Sequence, residues 1–161
     1  MRRIRPERFP IRGIRGMRDG VVRLNTRILV IEDNPANLEL MVYLLDAYGH
    51  QTMTAHDGLG GLALARRERP DLIICDVHLP GLNGYGVIAI LKSEPTLCSI
   101  PVIAVTALAM VGDREKLLTA GFDGYISKPV EPERFVGVIE QFLKSSHAGA
   151  SAPGRAPHFP Q

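Results

Sequence analysis

Four short apolar runs constrain the fold of this chain more than any other feature. They are Ile28-Leu29-Val30-Ile31, Leu72-Ile73-Ile74-Cys75, Val102-Ile103-Ala104-Val105 and Tyr125-Ile126-Ser127. Each is too short for a typical helix, and the first three are apolar at every position. A strand with one wet face would alternate, so these read as buried strands of a parallel sheet. The runs also end alike, on Glu32-Asp33, Asp76, Thr106 and Lys128. In an open parallel sheet the crevice at the carboxyl ends of the strands is the binding site. Four strands would therefore deliver three carboxylates, a hydroxyl and an ammonium to one rim.

Helical patterns separate the runs. Asn34 is a candidate N-cap with Pro35 in the first turn, and Leu38, Met41, Val42 and Leu45 recur at helical spacing up to Gly49. Gln51–Ala55 reads as a short second strand. A helix opens at Asp57-Gly58 and closes near Pro70. The segment 77–84 reads as a loop, followed by a helix to about Ser93. Gly81, Gly84 and Gly86 read as a mobile loop beside Asp76. They follow the third strand and have the wrong spacing for a dinucleotide fingerprint. A helix spans about Asp113 to Ala120, and the last begins near Glu131-Pro132 and ends at Leu143. The pattern is (βα)5, an α/β doubly wound parallel sheet of flavodoxin-like order 2-1-3-4-5. That order makes the first and third strands neighbours and brings Asp33 beside Asp76.

The folded unit is expected over residues 27–144. Residues 1–26 hold eight arginines against Glu7 and Asp19, a net +6, which leaves −4 on the rest of a chain whose total is +2. With Pro and Gly and no sustained period, this segment reads as a disordered basic extension. Met17 is a candidate alternative start. Residues 145–161 read as a disordered tail of small residues and proline. No apolar stretch approaches the ~20 residues that cross a membrane. Cys75 and Cys98 form no metal or redox motif and read as reduced thiols of a cytoplasmic protein.

Glu32, Asp33 and Asp76 repel one another unless a cation sits among them. An all-oxygen donor set in a small, open site favours Mg²⁺. Lys128 supplies a positive charge for a phosphoryl oxygen, and Thr106 a hydroxyl. Asp76, central in the sheet, is the candidate nucleophile, since carboxylates accept phosphoryl groups covalently.

The segments Ile-Leu-Val-Ile-Glu-Asp-Asn (28–34), Pro-Asp-Leu-Ile-Ile-Cys-Asp (70–76), Leu-Pro-Gly-Leu-Asn-Gly (79–84), Pro-Val-Ile-Ala-Val-Thr-Ala (101–107) and Gly-Tyr-Ile-Ser-Lys-Pro (124–129) carry a resemblance. Together they resemble the receiver domain of two-component response regulators, over residues 27–144. The resemblance implies that Asp76 is phosphorylated by a histidine kinase or histidine phosphotransferase. It implies Mg²⁺ held by Asp33, Asp76 and the His78 backbone carbonyl, with Glu32 acting through water. Lys128 corresponds to the family's phosphate-binding lysine, and Thr106 and Tyr125 to its switch pair. The Lys128–Pro129 peptide is expected to be cis. His78 and Leu108, two residues after Asp76 and Thr106, stand where receivers vary and where phosphoryl lifetime is set.

With no output module after Leu143, the expected type is a stand-alone receiver, similar to chemotaxis and cell-division regulators. It is expected to be a monomer or weak homodimer. It would signal through a face made by the fourth helix, fifth strand and last helix, with no activity beyond its own phosphorylation and dephosphorylation. Two other readings compete with this one. An aspartate-nucleophile phosphatase on a related fold would carry Asp-x-Asp, whereas Asp76-Val77-His78 lacks the second acid. A nucleic-acid binder would use the arginine-rich arm, which lacks interleaved aromatics.

Overall fold

The computed structural model describes residues 26–108 and 110–148. Five strands, β1 (Arg27–Ile31), β2 (Gln51–Ala55), β3 (Leu72–Asp76), β4 (Val102–Thr106) and β5 (Gly124–Ser127), alternate with five helices. The helices are α1 (Pro35–Ala47), α2 (Gly58–Glu68), α3 (Gly84–Ser93), α4 (Val111–Ala120) and α5 (Pro132–Ala148). All strand pairs are parallel, and the order is β2-β1-β3-β4-β5. This is the doubly wound sheet expected from the apolar runs.

Every residue of β3 and β4 is buried, whereas in edge strand β2 only Ala55 is. Alternation sorts the side chains into two cores. Ile28, Val30, Leu72, Ile74, Ile103 and Val105 pack toward α1 and α5, with Phe135 fully buried among them. Leu29, Ile31, Ile73, Cys75, Val102 and Ala104 pack toward α2, α3 and α4. Helices on both faces explain why the central strands carry no polar alternation.

Short polar side chains start three of the helices. Asn34, Asp57 and Asn83 accept hydrogen bonds from the N–H groups of Asn37, Gly60 and Gly86. Each satisfies a donor that the first helical turn leaves free. Pro35 occupies the first turn of α1, and Gly49 follows that helix with φ +82°.

Several boundaries differ from the sequence expectation. Gly84 and Gly86 belong to the first turn of α3, not to a mobile loop, because Asn83 caps the helix directly in front of them. Helix α4 starts at Val111, two residues before Asp113, without a side-chain cap to mark it. Helix α5 continues to Ala148, past the buried Leu143. No Gly or Pro follows Leu143 until Gly149. Thr26, assigned to the basic extension, is buried, and its carbonyl accepts the Gln51 N–H at 2.8 Å. The expectations for residues 1–25 and 149–161 lie outside the described residues.

Candidate functional site

The site forms where the chain changes direction across the sheet. From β1 it winds outward to β2, and β3 then starts the other half on the far side of β1. The β1–β3 register pairs Ile31 with Cys75. The next step along each strand makes Glu32 and Asp76 level at the carboxyl rim. Asp33 follows in the exposed loop before α1. Carboxylate oxygens of Glu32, Asp33 and Asp76 all lie within 4.8 Å of one another.

Lys128 reaches this cluster from the end of β5, and the Lys128–Pro129 peptide is cis. Its ammonium donates to Asp76 Oδ2 at 3.1 Å and to Glu32 Oε1 at 3.3 Å. The other Asp76 oxygen, Oδ1, accepts the His78 backbone N–H at 3.0 Å. Burial works against the Lys128 charge, but the hydrogen bond and charge of Asp76, with Glu32, outweigh it and hold the ammonium above its ordinary pKa. The lysine is thus a fixed cation.

Glu32 is completely buried. Burial raises its pKa and the Asp76 charge adds to the rise; the Asn34 N–H and Lys128 oppose it. Its Oε1 accepts the Asn34 N–H at 3.1 Å. Its Oε2 lies 3.2 Å from the Lys128 ammonium but has no hydrogen bond of acceptable geometry. A buried carboxylate oxygen without a hydrogen bond is costly. Three carboxylates with one ammonium also leave uncompensated negative charge. Both features fit a hard divalent cation with coordinated water, as the all-oxygen donor set does.

Thr106 is buried at the end of β4, but its hydroxyl oxygen accepts the Leu108 N–H at 3.0 Å in a local turn. A cleft of about 750 Å³ opens beside it, lined by Val77, His78, Tyr85, Leu108 and Leu117 among others. The His78 side chain is exposed at this cleft. The β4–β5 register pairs Thr106 with Ser127 and Ala104 with Tyr125, so Thr106 and Tyr125 face the same side of the sheet. Tyr125 is half-buried there, with the Arg114 guanidinium of α4 5.9 Å from its ring centroid. That distance suits a cation–π contact.

Glu32, Asp33, Asp76 and Lys128 therefore converge as the strand ends suggested, with Thr106 on the adjoining strand turned toward Leu108. Arg114 escaped the sequence reading, since a helix-to-strand contact leaves no periodic signal. The Cys75 thiol is buried and held protonated by burial and by the charges of Asp76 and Glu32, so it is a core residue.

Comparison with known proteins gives a consistent result. Residues 28–140 match the family model of the response regulator receiver domain. The chain is 44% identical over 116 residues to the polar-differentiation response regulator DivK of Brucella anthropi, covering 72% of this chain and 94% of that protein. It resembles the receiver domain of a sensor histidine kinase from Pseudomonas aeruginosa, solved with a magnesium ion coordinated in the active site cleft. There the TM-score is 0.69 at 32% identity, over 74% of this chain and 98% of that one. A response regulator from Chloroflexus aurantiacus superposes with a TM-score of 0.71 at 27% identity, over 74% and 98% of the two chains.

Proposed function

The chain belongs to the response regulator receiver family of two-component signalling, and from that premise we propose that it acts as a single-domain regulator phosphorylated on Asp76. The observation that carries this reading is the convergence of Lys128, Glu32 and Asp33 on the Asp76 carboxylate at the switch point of the sheet.

An Asp76 oxygen attacks the phosphorus of a phosphohistidine, held by a histidine kinase or histidine phosphotransferase. The new O–P bond forms as the N–P bond breaks, and its electron pair returns to the imidazole nitrogen. Lys128 and the His78 N–H hold the two carboxylate oxygens before the reaction. Lys128 then stays with the phosphoryl oxygens as a charge partner. Asp33, Asp76 and the His78 carbonyl would hold Mg²⁺, with Glu32 reaching it through water from Oε2, which accepts no hydrogen bond. Bound there, the ion offsets the negative charge of carboxylate and phosphoryl group.

The phosphoryl group draws the Thr106 hydroxyl away from Leu108, and Tyr125 turns toward the space released. The face formed by α4, β5 and α5 changes with it and is read by a downstream protein in the cytoplasm. Phosphorylation biases this equilibrium only through its different contacts in the two states. No helix among the described residues is long and apolar enough to cross a membrane.

The test is incubation with a phosphorylated histidine phosphotransferase, with and without Mg²⁺. One phosphoryl group per chain, taken up only with Mg²⁺, supports the reading. Continuous phosphate release from unrelated phosphomonoesters would point to the hydrolase instead.

A further inference from the structure

The peptide that carries Asp76 is confined from two directions. On one side, the Val77 N–H donates to the Val105 carbonyl of β4 at 3.1 Å. On the other lies the N-terminus of α3. There the Gly84 N–H donates to the Val77 carbonyl at 2.9 Å, and the Asn83 side chain holds the first turn through the Gly86 N–H at 3.0 Å.

Gly84 is buried, and its missing side chain is what permits this approach. A Cβ on Gly84 would stand 2.6 Å from the Asp76 carbonyl oxygen and 2.7 Å from the Val77 Cα. Ordinary contact begins at 3.4 Å, so the overlap is about 0.8 Å. The atoms met are backbone and cannot rotate aside. By contrast, a Cβ on Gly61 or Gly86 would meet side-chain ends of Ile31 or Leu82.

We infer that Gly84 is a positioning residue for Asp76: its bare Cα lets α3 seat directly on the Asp76–Val77 peptide and so sets the direction of the Asp76 carboxylate. The consequence reaches the reacting atoms within two residues. Tilting that peptide moves the His78 N–H, which holds Asp76 Oδ1, and shifts the carboxylate relative to Lys128 and Asp33. Gly84 touches neither phosphate nor metal; it acts through the backbone. The inference rests on the reading of Asp76 as phosphoacceptor.

The test compares wild type, Gly84→Ala and Gly124→Ala. A Cβ on Gly124 would approach the Phe142 ring to 2.6 Å, equally close but against a side chain rather than backbone. Gly124 opens β5, whereas Asp76 closes β3, so that clash lies at the far end of the sheet from the site. The readouts are Mg²⁺ affinity by calorimetry, the His78 amide chemical shift without Mg²⁺, and the rate of labelling by acetyl phosphate. Gly84→Ala should shift the His78 amide and weaken Mg²⁺ binding roughly 10-fold or more. Labelling should slow by about 10- to 100-fold. Gly124→Ala should lower thermal stability while leaving Mg²⁺ affinity within about twofold of wild type.

If Gly84→Ala fails to fold, Asn83→Ala takes its place, loosening the same turn without adding volume. It should weaken Mg²⁺ binding by roughly fivefold. Wild-type Mg²⁺ affinity and labelling in the folded Gly84 variant, or in Asn83→Ala where it substitutes, would overturn the inference. So would an equal loss in Gly124→Ala. A wild-type protein that neither binds Mg²⁺ nor takes label would instead overturn the reading of Asp76 on which the inference rests.

Discussion

The Lys128 ammonium stands 3.1 Å from Asp76 Oδ2 and 3.3 Å from Glu32 Oε1, so one lysine joins two buried carboxyl groups, one at the end of β3 and one just past β1. Only 19% of its side chain is exposed, against 3% for Asp76 and none for Glu32. The contact ties β5 to the β1–β3 switch point and makes the site a structural element as well as a reactive one.

Removing that cation leaves two buried carboxylates facing each other. Lys128→Met should lower unfolding free energy in urea by about 3 kcal/mol without Mg²⁺. Added Mg²⁺ should restore part of the loss, because it supplies positive charge to the same carboxylates. A variant as stable as wild type in metal-free buffer would show that the lysine does not neutralise the cluster.

Mg²⁺ should raise the stability of the wild type, because the unfolded chain cannot assemble the three carboxylates. At 100 times its Kd the gain is about 2.7 kcal/mol. Asp33→Asn, at the exposed corner of the cluster, should lose most of that gain while staying folded. Thermal melts with and without Mg²⁺ measure both. Equal metal-induced shifts in the two proteins would remove Asp33 from the ligand set.

His50 makes stability depend on pH away from the site. Burial pushes its imidazole below the usual 6.5, against the opposing charge of Glu140 on α5. Its Nδ1 is buried without a hydrogen bond. The unfolded chain therefore binds the proton more tightly than the folded one. This contribution is fully present above 6.5 and is lost as pH falls through the lower folded value. Urea unfolding between pH 7.5 and 5 should show a shallower fall for His50→Gln than for wild type. Parallel curves would contradict this.

Thr106→Ala should still accept phosphate but lose phosphorylation-dependent partner binding, while Thr106→Ser, which keeps the hydroxyl, should retain it. Arg114→Ala should change the same binding, because it frees the Tyr125 ring from the guanidinium beside it. Affinity for the downstream protein, with and without phosphorylation, is the measurement. Unchanged phosphate dependence in Thr106→Ala would break the proposed coupling.

The sheet is legible because β1, β3 and β4 each carry four consecutive apolar residues that are buried whichever face they point to, a pattern that fits a parallel core strand. Asn34, with Pro35 behind it, marked the start of α1 for the same local reason. Legibility fell where tertiary contact outweighed local pattern. Gly84 reads as a loop residue until α3 is seen seated on the Asp76–Val77 peptide. The end of α5 lies past Leu143, along Lys144-Ser145-Ser146-His147-Ala148, a stretch with no hydrophobic period to read. At the site, residue types at strand ends announced the carboxylates and the lysine. The Thr106 turn toward Leu108 and the Arg114–Tyr125 contact depend on side-chain direction and left no trace in spacing.

The proposal for Asp76 places the phosphoryl group on its own carboxylate. Borohydride reduction of the phosphorylated protein converts an aspartyl phosphate to homoserine, and mass spectrometry of the peptides locates it. Homoserine should appear at position 76, only after incubation with phosphodonor and Mg²⁺, and not in Asp76→Asn, whose fold should remain intact. Homoserine at position 33, or undiminished labelling of Asp76→Asn, would contradict it.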